Sequence, residues 1–369
     1  MPRPAIPAHK NAQCPVPTPN SMSIHYLIEE ADLSIAASVI QSLWVKSLVG
    51  HDAQSARQKL HHGYLDNPAG RGAVILLKAE GLEEAQGAQG LHPRLFHHGP
   101  DPIRAIGLAD YVVNAEHRSL GPALMLMRRG VQIGAERFDL VYGLPNAKAA
   151  PVCARAGLKR LGTVQRYAKP LASREHLARR LPRWLARCCA PFVDQGMAIH
   201  DRVRSMRSPT RLICAASHWS DPALDELWSS RPAELLLSER SGRMLRWRFG
   251  AEGRGHWQVC LARDRSGQAC GYVVWRHERG FVQVGDFFAR DPNTLTQPLM
   301  LAFARLARRT KGQSISVEFF GSSKITAQLQ QAGMVARPGQ APLFAGAATR
   351  APFLSPEVWY LTSFDNDAD

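Results

Sequence analysis

The stretch Val112-Val-Asn-Ala-Glu-His-Arg-Ser-Leu-Gly-Pro-Ala-Leu124 changes its periodicity midway. Val112-Val113 closes a largely apolar run over residues 103–114 that reads as a strand. A polar turn follows, and residues 123–137 predict a helix. Leu124, Met127, Val131, Ala135 and Phe138 are expected on its core face, with Arg128, Arg129, Gln132 and Glu136 opposite. A strand–turn–helix junction presents unpaired backbone N–H groups and the positive end of a helix dipole to one spot, which suits a pyrophosphate. Gly121 would let that ligand approach the backbone closely. Pro122 fits the first helical position, where its missing N–H matters least. Arg118 adds a fixed positive charge.

Working outward, residues 23–30 read as a strand, 33–48 as a helix and 73–78 as a strong strand. The Gly-, Gln- and His-rich residues 81–102 read as a long loop. Residues 140–142 form a short strand, and residues 147–156 a short helix stopped by Gly157. Residues 161–169 close this half as one strand ending at Pro170. From 171 to 211 the chain carries nine arginines against three acidic residues. Leu177, Leu181, Trp184, Leu185, Cys188 and Phe192 recur there at near-helical spacing, interrupted by Pro182 and Pro191. This is either a connector packed between two units or an interfacial helix on anionic lipid. The element order then restarts, with helices over 221–228, 295–309 and 325–332 and strands over 257–262, 271–276, 281–288 and 315–319. Arg155-Ala-Gly-Leu158 finds an echo in Gln331-Ala-Gly-Met334. The pattern predicts a duplication: a Pro-rich disordered lead over 1–22, a first unit over 23–170, a connector over 171–211 and a second unit over 212–369.

Composition narrows the function classes. The 369 residues are 45% hydrophobic and 21% charged, as in ordinary globular proteins. No apolar run approaches the ~18 residues a spanning helix needs. The N-terminal stretch lacks the apolar core of a signal peptide, and Met22 offers a second candidate start. The seven cysteines form no CxxC pair, so neither a disulfide framework nor a zinc ribbon is expected, and a reducing cytoplasm fits. His61-His62 and His97-His98 are adjacent rather than four apart, so no metal site is expected. The net charge of +15 favours an anionic partner: a phosphorylated cosubstrate, a membrane surface or nucleic acid. The same excess also follows from an arginine-rich codon bias.

Arg118-x-x-Gly121-x-Ala123 resembles the pyrophosphate loop of the GNAT superfamily of acetyl-CoA-dependent N-acetyltransferases. Leu144-Pro-Asn146-x-x-Ala149, followed by Ala156-Gly157-Leu158, is similar to that superfamily's second signature, and Tyr167-Ala-Lys169-Pro-Leu171 to its closing strand. The resemblance implies an α/β (mixed α+β) fold of two GNAT-like units, each a mostly antiparallel mixed sheet flanked by helices. It implies acetyl-CoA as cosubstrate and a small-molecule amine as acceptor, the reaction being direct acyl transfer. Val113 would bond the pantetheine arm through its backbone. Arg118, Ser119, Leu120, Gly121 and Ala123 would surround the pyrophosphate, and Asn146 would contact the arm while also capping a helix.

Two departures stand out. Pro122 removes one amide donor from the loop. Cys153 occupies the place of a tyrosine that usually protonates the departing thiolate, so Cys153 is either that acid or a small core residue. Asp110 is the best-placed carboxylate base and Glu116 the next. In the second half the loop is replaced by residues 288–299, where Asp291 would repel phosphate. Chains of this kind resemble acyltransferases of surface-polysaccharide synthesis, which points to an amino-sugar acceptor and to residues 174–207 as a membrane-peripheral segment. Two alternatives remain: a FemAB-like aminoacyl transferase using aminoacyl-tRNA, which the intact loop argues against, and a non-catalytic CoA-binding scaffold. No specific nucleic acid is otherwise expected.

Overall fold

The computed structural model describes residues 24–366 apart from 49, 51, 251–254, 340 and 347–350. The expected lead over 1–22 lies outside the described residues. The first half runs β1 (Tyr26–Glu30), α1 (Ala37–Ser47), α2 (Ala53–Lys59), β2 (Ala73–Ala79), β3 (Ala85–His98), β4 (Asp101–Val113), α3 (Leu120–Arg137), β5 (Leu140–Gly143), α4 (Ala150–Arg155), β6 (Lys159–Thr163) and β7 (Gln165–Pro170). α5 (Arg174–Ala178) and α6 (Arg183–Arg207) follow. The second half runs β8 (Ile213–Ser217), α7 (Ala223–Ser229), β9 (Leu236–Ser238), α8 (Gly242–Phe249), β10 (Gln258–Arg263), β11 (Ala269–Glu278), β12 (Phe281–Ala289), α9 (Pro292–Arg309), β13 (Ser314–Gly321), α10 (Ser323–Gln331), β14 (Val335–Arg337), β15 (Pro342–Ala345) and β16 (Trp359–Leu361). The mixed α/β class and the repeated element order match the sequence reading.

Residues 81–102 are not a loop. They contain β3, the central strand of the first half, paired along its length with β2 and β4. Its glycines hid it from propensity, and packing explains one of them: a Cβ on Gly90 would collide with the buried Tyr64 hydroxyl. The single strand expected over 161–169 is two strands, β6 and β7. α6 continues across Pro191, and Pro182 sits at its N-cap rather than inside it. In α3 the core face holds Leu126, Met127, Ile133, Pro122 and Ala123, one step round from the predicted face, because its closest approach to the sheet runs through Gly130, against Gln89, and Gly134, against Val141 and Ile106, which an apolar pattern passes over. The helix starts at Leu120 rather than at residue 123. Pro122 is therefore its third residue, not its first.

β1–β2–β3–β4 pair antiparallel, and β4–β5 pair in parallel. β8, β10, β11, β12 and β13 repeat that arrangement in the second half. The closing strands are exchanged. β15 from the second half lies between β5 and β6, with Phe344 opposite Gly143 and Leu343 opposite Gly162. β7 from the first half lies between β13 and β14, with Tyr167 opposite both Val317 and Ala336. β9 and β16 bridge β3 to β13, so the strands form one continuous sheet. No described helix is long and apolar enough to cross a membrane.

Candidate functional site

β4 and β5 stay paired only as far as Leu108 opposite Gly143. Beyond that point β4 runs on to Val113 while β5 gives way to a turn, and the strands part in a wedge. A bulge sharpens the parting. Ala88 faces Val112 and Gly90 faces Ala109, so Asp110 and Tyr111 stand against Gln89 alone. Asp110 takes φ +47°, a left-handed conformation that is strained for a non-glycine residue.

The N-terminus of α3 opens at the mouth of this wedge. Ser119, at the N-cap, is extended and gives the helix no side-chain cap. The first-turn amides of Leu120 and Gly121 thus lack the usual internal acceptor. Space around Gly121 is open: among the described residues, a Cβ there would meet no heavy atom within 4 Å beyond its own helix turn. Arg118 donates from Nε and Nη2 to the Val113 carbonyl, at 3.2 and 3.0 Å. This clamps a positive charge at the strand end and occupies the Val113 oxygen. Arg118, Ser119, Leu120 and Gly121 are exposed, whereas Ala123 is buried beneath them. The second half is the reverse. Asp291 caps α9, accepting from the Asn293 amide at 3.1 Å and from the Thr294 hydroxyl at 2.6 Å. A carboxylate of the chain itself fills the place an anion would take.

Asn146 accepts from the amides of Lys148 and Ala149, both at 3.0 Å, and so caps the turn into α4 from an exposed position. Cys153 is buried between α4 and α3, with Sγ 4.0 Å from Met127 Sδ. Burial pushes its thiol up to about 12. Tyr111 stands beside it. Its hydroxyl donates to the Ala123 carbonyl at 2.8 Å, and its pKa is raised, first by burial and then by Cys153. Glu116 is exposed on the short 3-10 turn Ala115–His117.

Asp110 is buried under the wedge. Lys59 Nζ lies 2.7 Å from Oδ1, the Tyr64 hydroxyl donates to Oδ2 at 2.6 Å, and His92 Nε2 stands 3.5 Å from Oδ2. Burial alone would raise the Asp110 pKa, but the Lys59 ammonium and His92 outweigh it, and the carboxyl is held well below the usual range. A group so stabilised as an anion is a weak base at neutral pH. His92 bridges this cluster to a small cleft lined by Arg94, Gly107, Leu108, Tyr142, Leu144 and Asp365.

Sequence reading missed His92, Arg94, Lys59, Tyr64, Tyr142 and Asp365. His92 and Arg94 lay in the presumed loop, while Asp365 reaches the cleft from the far end of the chain. The signal available was the i, i+2 spacing of His92 and Arg94, which puts both on one face of a strand.

The sequence matches no protein-family model and no curated protein. Solved structures do match the fold. A protein of Enterococcus faecalis described as a probable N-acyltransferase aligns at TM-score 0.63 and 12% identity, over 90% of this chain and 74% of that one. A GCN5-related N-acetyltransferase from Anabaena variabilis aligns at TM-score 0.62 and 12% identity, over 90% and 75% of the two chains. The N-myristoyltransferase of Saccharomyces cerevisiae, solved with myristoyl-CoA, aligns at TM-score 0.51 and 11% identity, over 91% and 81%. The chain has the fold of the GCN5-related N-acetyltransferases.

Proposed function

We propose that the chain is an N-acyltransferase that moves an acetyl group from acetyl-CoA to a small amine. The observation that carries this is the asymmetry of the two helix N-termini: α3 is uncapped and open around Gly121, whereas α9 is closed by Asp291. On this reading the pyrophosphate sits on the Leu120 and Gly121 amides beside Arg118, and the pantetheine arm runs into the wedge along β4. Asn146 borders the arm, and the thioester reaches the bulge. The acceptor amine enters by the cleft at His92 and attacks the thioester carbonyl, while a backbone N–H of β4 polarises the oxygen. The C–N bond forms, the C–S bond breaks, and His92 takes the amine proton. Asp110, ion-paired to Lys59, positions His92 rather than acting as the base. Glu116 stands on the exposed rim and Cys153 packs in the core. The test is calorimetric titration with acetyl-CoA and with tRNA, followed by a free-thiol assay over an amine panel that includes glucosamine. One acetyl-CoA site per chain with thiol release supports the reading. Binding of tRNA without acetyl-CoA favours the aminoacyl-transfer alternative, and binding without turnover on any amine favours a scaffold.

A second feature supports peripheral membrane association. Along α6, Trp184 is 68% exposed and Phe192 80%, and Ile199, Val203 and Met206 continue the same stripe. Arg174, Arg179, Arg183 and Arg187 line the adjoining cleft against α5. Apolar anchors beside a row of arginines suit an anionic headgroup layer.

A further inference from the structure

Arg94 lies on β3 at 4% exposure, and its Nε and Nη1 are buried with no hydrogen-bond partner among the described residues. A buried, unsatisfied guanidinium is expensive, and such charges persist when something pairs them. Its protein neighbours do not do so. The guanidinium carbon sits 5.0 Å over the Trp247 ring, which offers a π-face but no acceptor atom. Among the described residues Arg94 makes no ion pair. Asp365 lines the same cleft, but its carboxylate is already engaged by Arg240 Nη2 at 2.8 Å, by the Thr362 amide at 3.0 Å and by the Ser238 hydroxyl. Asp110 belongs to Lys59 and Tyr64.

The cation is also held in place. Trp247 stacks on His62 with ring centroids 4.7 Å apart and donates from Nε1 to the His62 carbonyl at 3.2 Å. The indole under Arg94 is thus fixed by a first-half backbone, and a plane so braced keeps the guanidinium aimed rather than free to fold away.

We infer that Arg94 is the anion subsite of the acceptor, and that the amine substrate carries a carboxylate or phosphate which pairs with it. This rests on the acyl-transfer reading above, since His92 is two residues away on the same strand face and lines the same cleft. The acceptor then bridges the two, its amine at His92 and its oxyanion at Arg94. Neutral amines lack the second contact and leave the guanidinium unpaired, a defect against which sites built for a polar group discriminate strongly.

The test uses matched probes on the full chain: glucosamine 6-phosphate against glucosamine, and γ-aminobutyrate against butylamine, each titrated by NMR with the Arg94 side-chain signal as reporter. Wild type is expected to bind at least one anionic member tenfold or more tightly than its neutral partner. The phosphate and carboxylate arms distinguish the two oxyanions. Arg94→Gln should abolish the preference and Arg94→Lys retain part of it, with acetyl-CoA affinity unchanged in both. No anionic preference in wild type overturns the inference without recourse to a variant. A preference that survives in Arg94→Gln does the same. Acetyl-CoA titration on the same samples separates failures: loss of that binding in wild type strikes the acyl-transfer reading, while the probe pairs judge the oxyanion subsite.

Discussion

Replacing Gly121 with alanine should make the protein more stable and worse at binding its cosubstrate. The position lies in the first turn of α3, and a Cβ there finds open space rather than protein. Alanine is favoured over glycine in a helix by about 0.5–1 kcal/mol. Unfolding entropy of about 2.1 cal/mol/K per residue makes this a rise of about 1 °C in Tm for 369 residues. On the proposed reading, the same methyl occupies the space through which a pyrophosphate would reach the Leu120 and Gly121 amides. A hydrogen bond to a charged group contributes about 1.5–3 kcal/mol, so losing one weakens acetyl-CoA binding about 10- to 150-fold. Gly121→Asp adds a repelling carboxylate and should abolish binding, placing here the arrangement that Asp291 already makes in the second half. Calorimetric titration gives the affinity and thermal melting the stability. Unchanged acetyl-CoA affinity in both variants would refute the assignment of the loop, because among the described residues nothing outside its own helix turn crowds a side chain at that position.

Asp291→Ala should leave acetyl-CoA affinity unchanged while removing a helix cap at a cost of about 1 kcal/mol, read by thermal melting. Asp110→Asn strands the buried Lys59 ammonium and should destabilise by about 3–5 kcal/mol, with most of the loss recovered by adding Lys59→Met. Because the folded Asp110 carboxyl is depressed below its free value of 3.8, the pair's stabilisation is complete above that pH and is lost as pH falls through the folded pKa. Acid melting of wild type should accordingly be steeper than that of the double variant. Cys153→Ala should cost well under tenfold in turnover, and Cys153 should resist alkylation at neutral pH while exposed Cys188 reacts; a hundredfold loss in a folded variant that still binds acetyl-CoA would make it the acid. Reversing Arg179, Arg183 and Arg187 to Glu should release the chain from anionic vesicles in sedimentation, at about 1 kcal/mol per residue; equal binding to neutral and anionic vesicles would assign α6 to packing alone.

The junction at residues 112–124 was legible because its signals are local: a strand's end, a polar turn, a glycine and an amphipathic helix all lie within a few residues. The repeat of element order was legible for the same reason. β3 was not. Gly87, Gly90 and Pro93 carry low strand propensity, and the two glycines are explained by what crosses them in space, the Val112 carbonyl at Gly87 and the Tyr64 hydroxyl at Gly90. The cleft inherited that blindness, since His92 and Arg94 sit on the hidden strand. Asp110 was read as the carboxylate base because its partners could not be seen: Lys59 and Tyr64 come from the end of α2 and the helical turn after it, and no spacing rule links them to it. The exchange of β7 and β15 is invisible to any local pattern, because each strand looks like the end of its own half.

That exchange bears on how the chain is made. On a ribosome, β5 and β6 emerge with a gap between them, and their filler, residues 342–345, is made only after α9, β13 and α10 of the second half. The sheet of the first half therefore carries two raw edges until that strand is made, and such edges recruit other chains. The second half, closed to an anion by Asp291, stays indispensable as the supplier of that strand. A nascent chain stalled before residue 342 should be held by chaperones as an unfinished sheet, not released as a completed first unit.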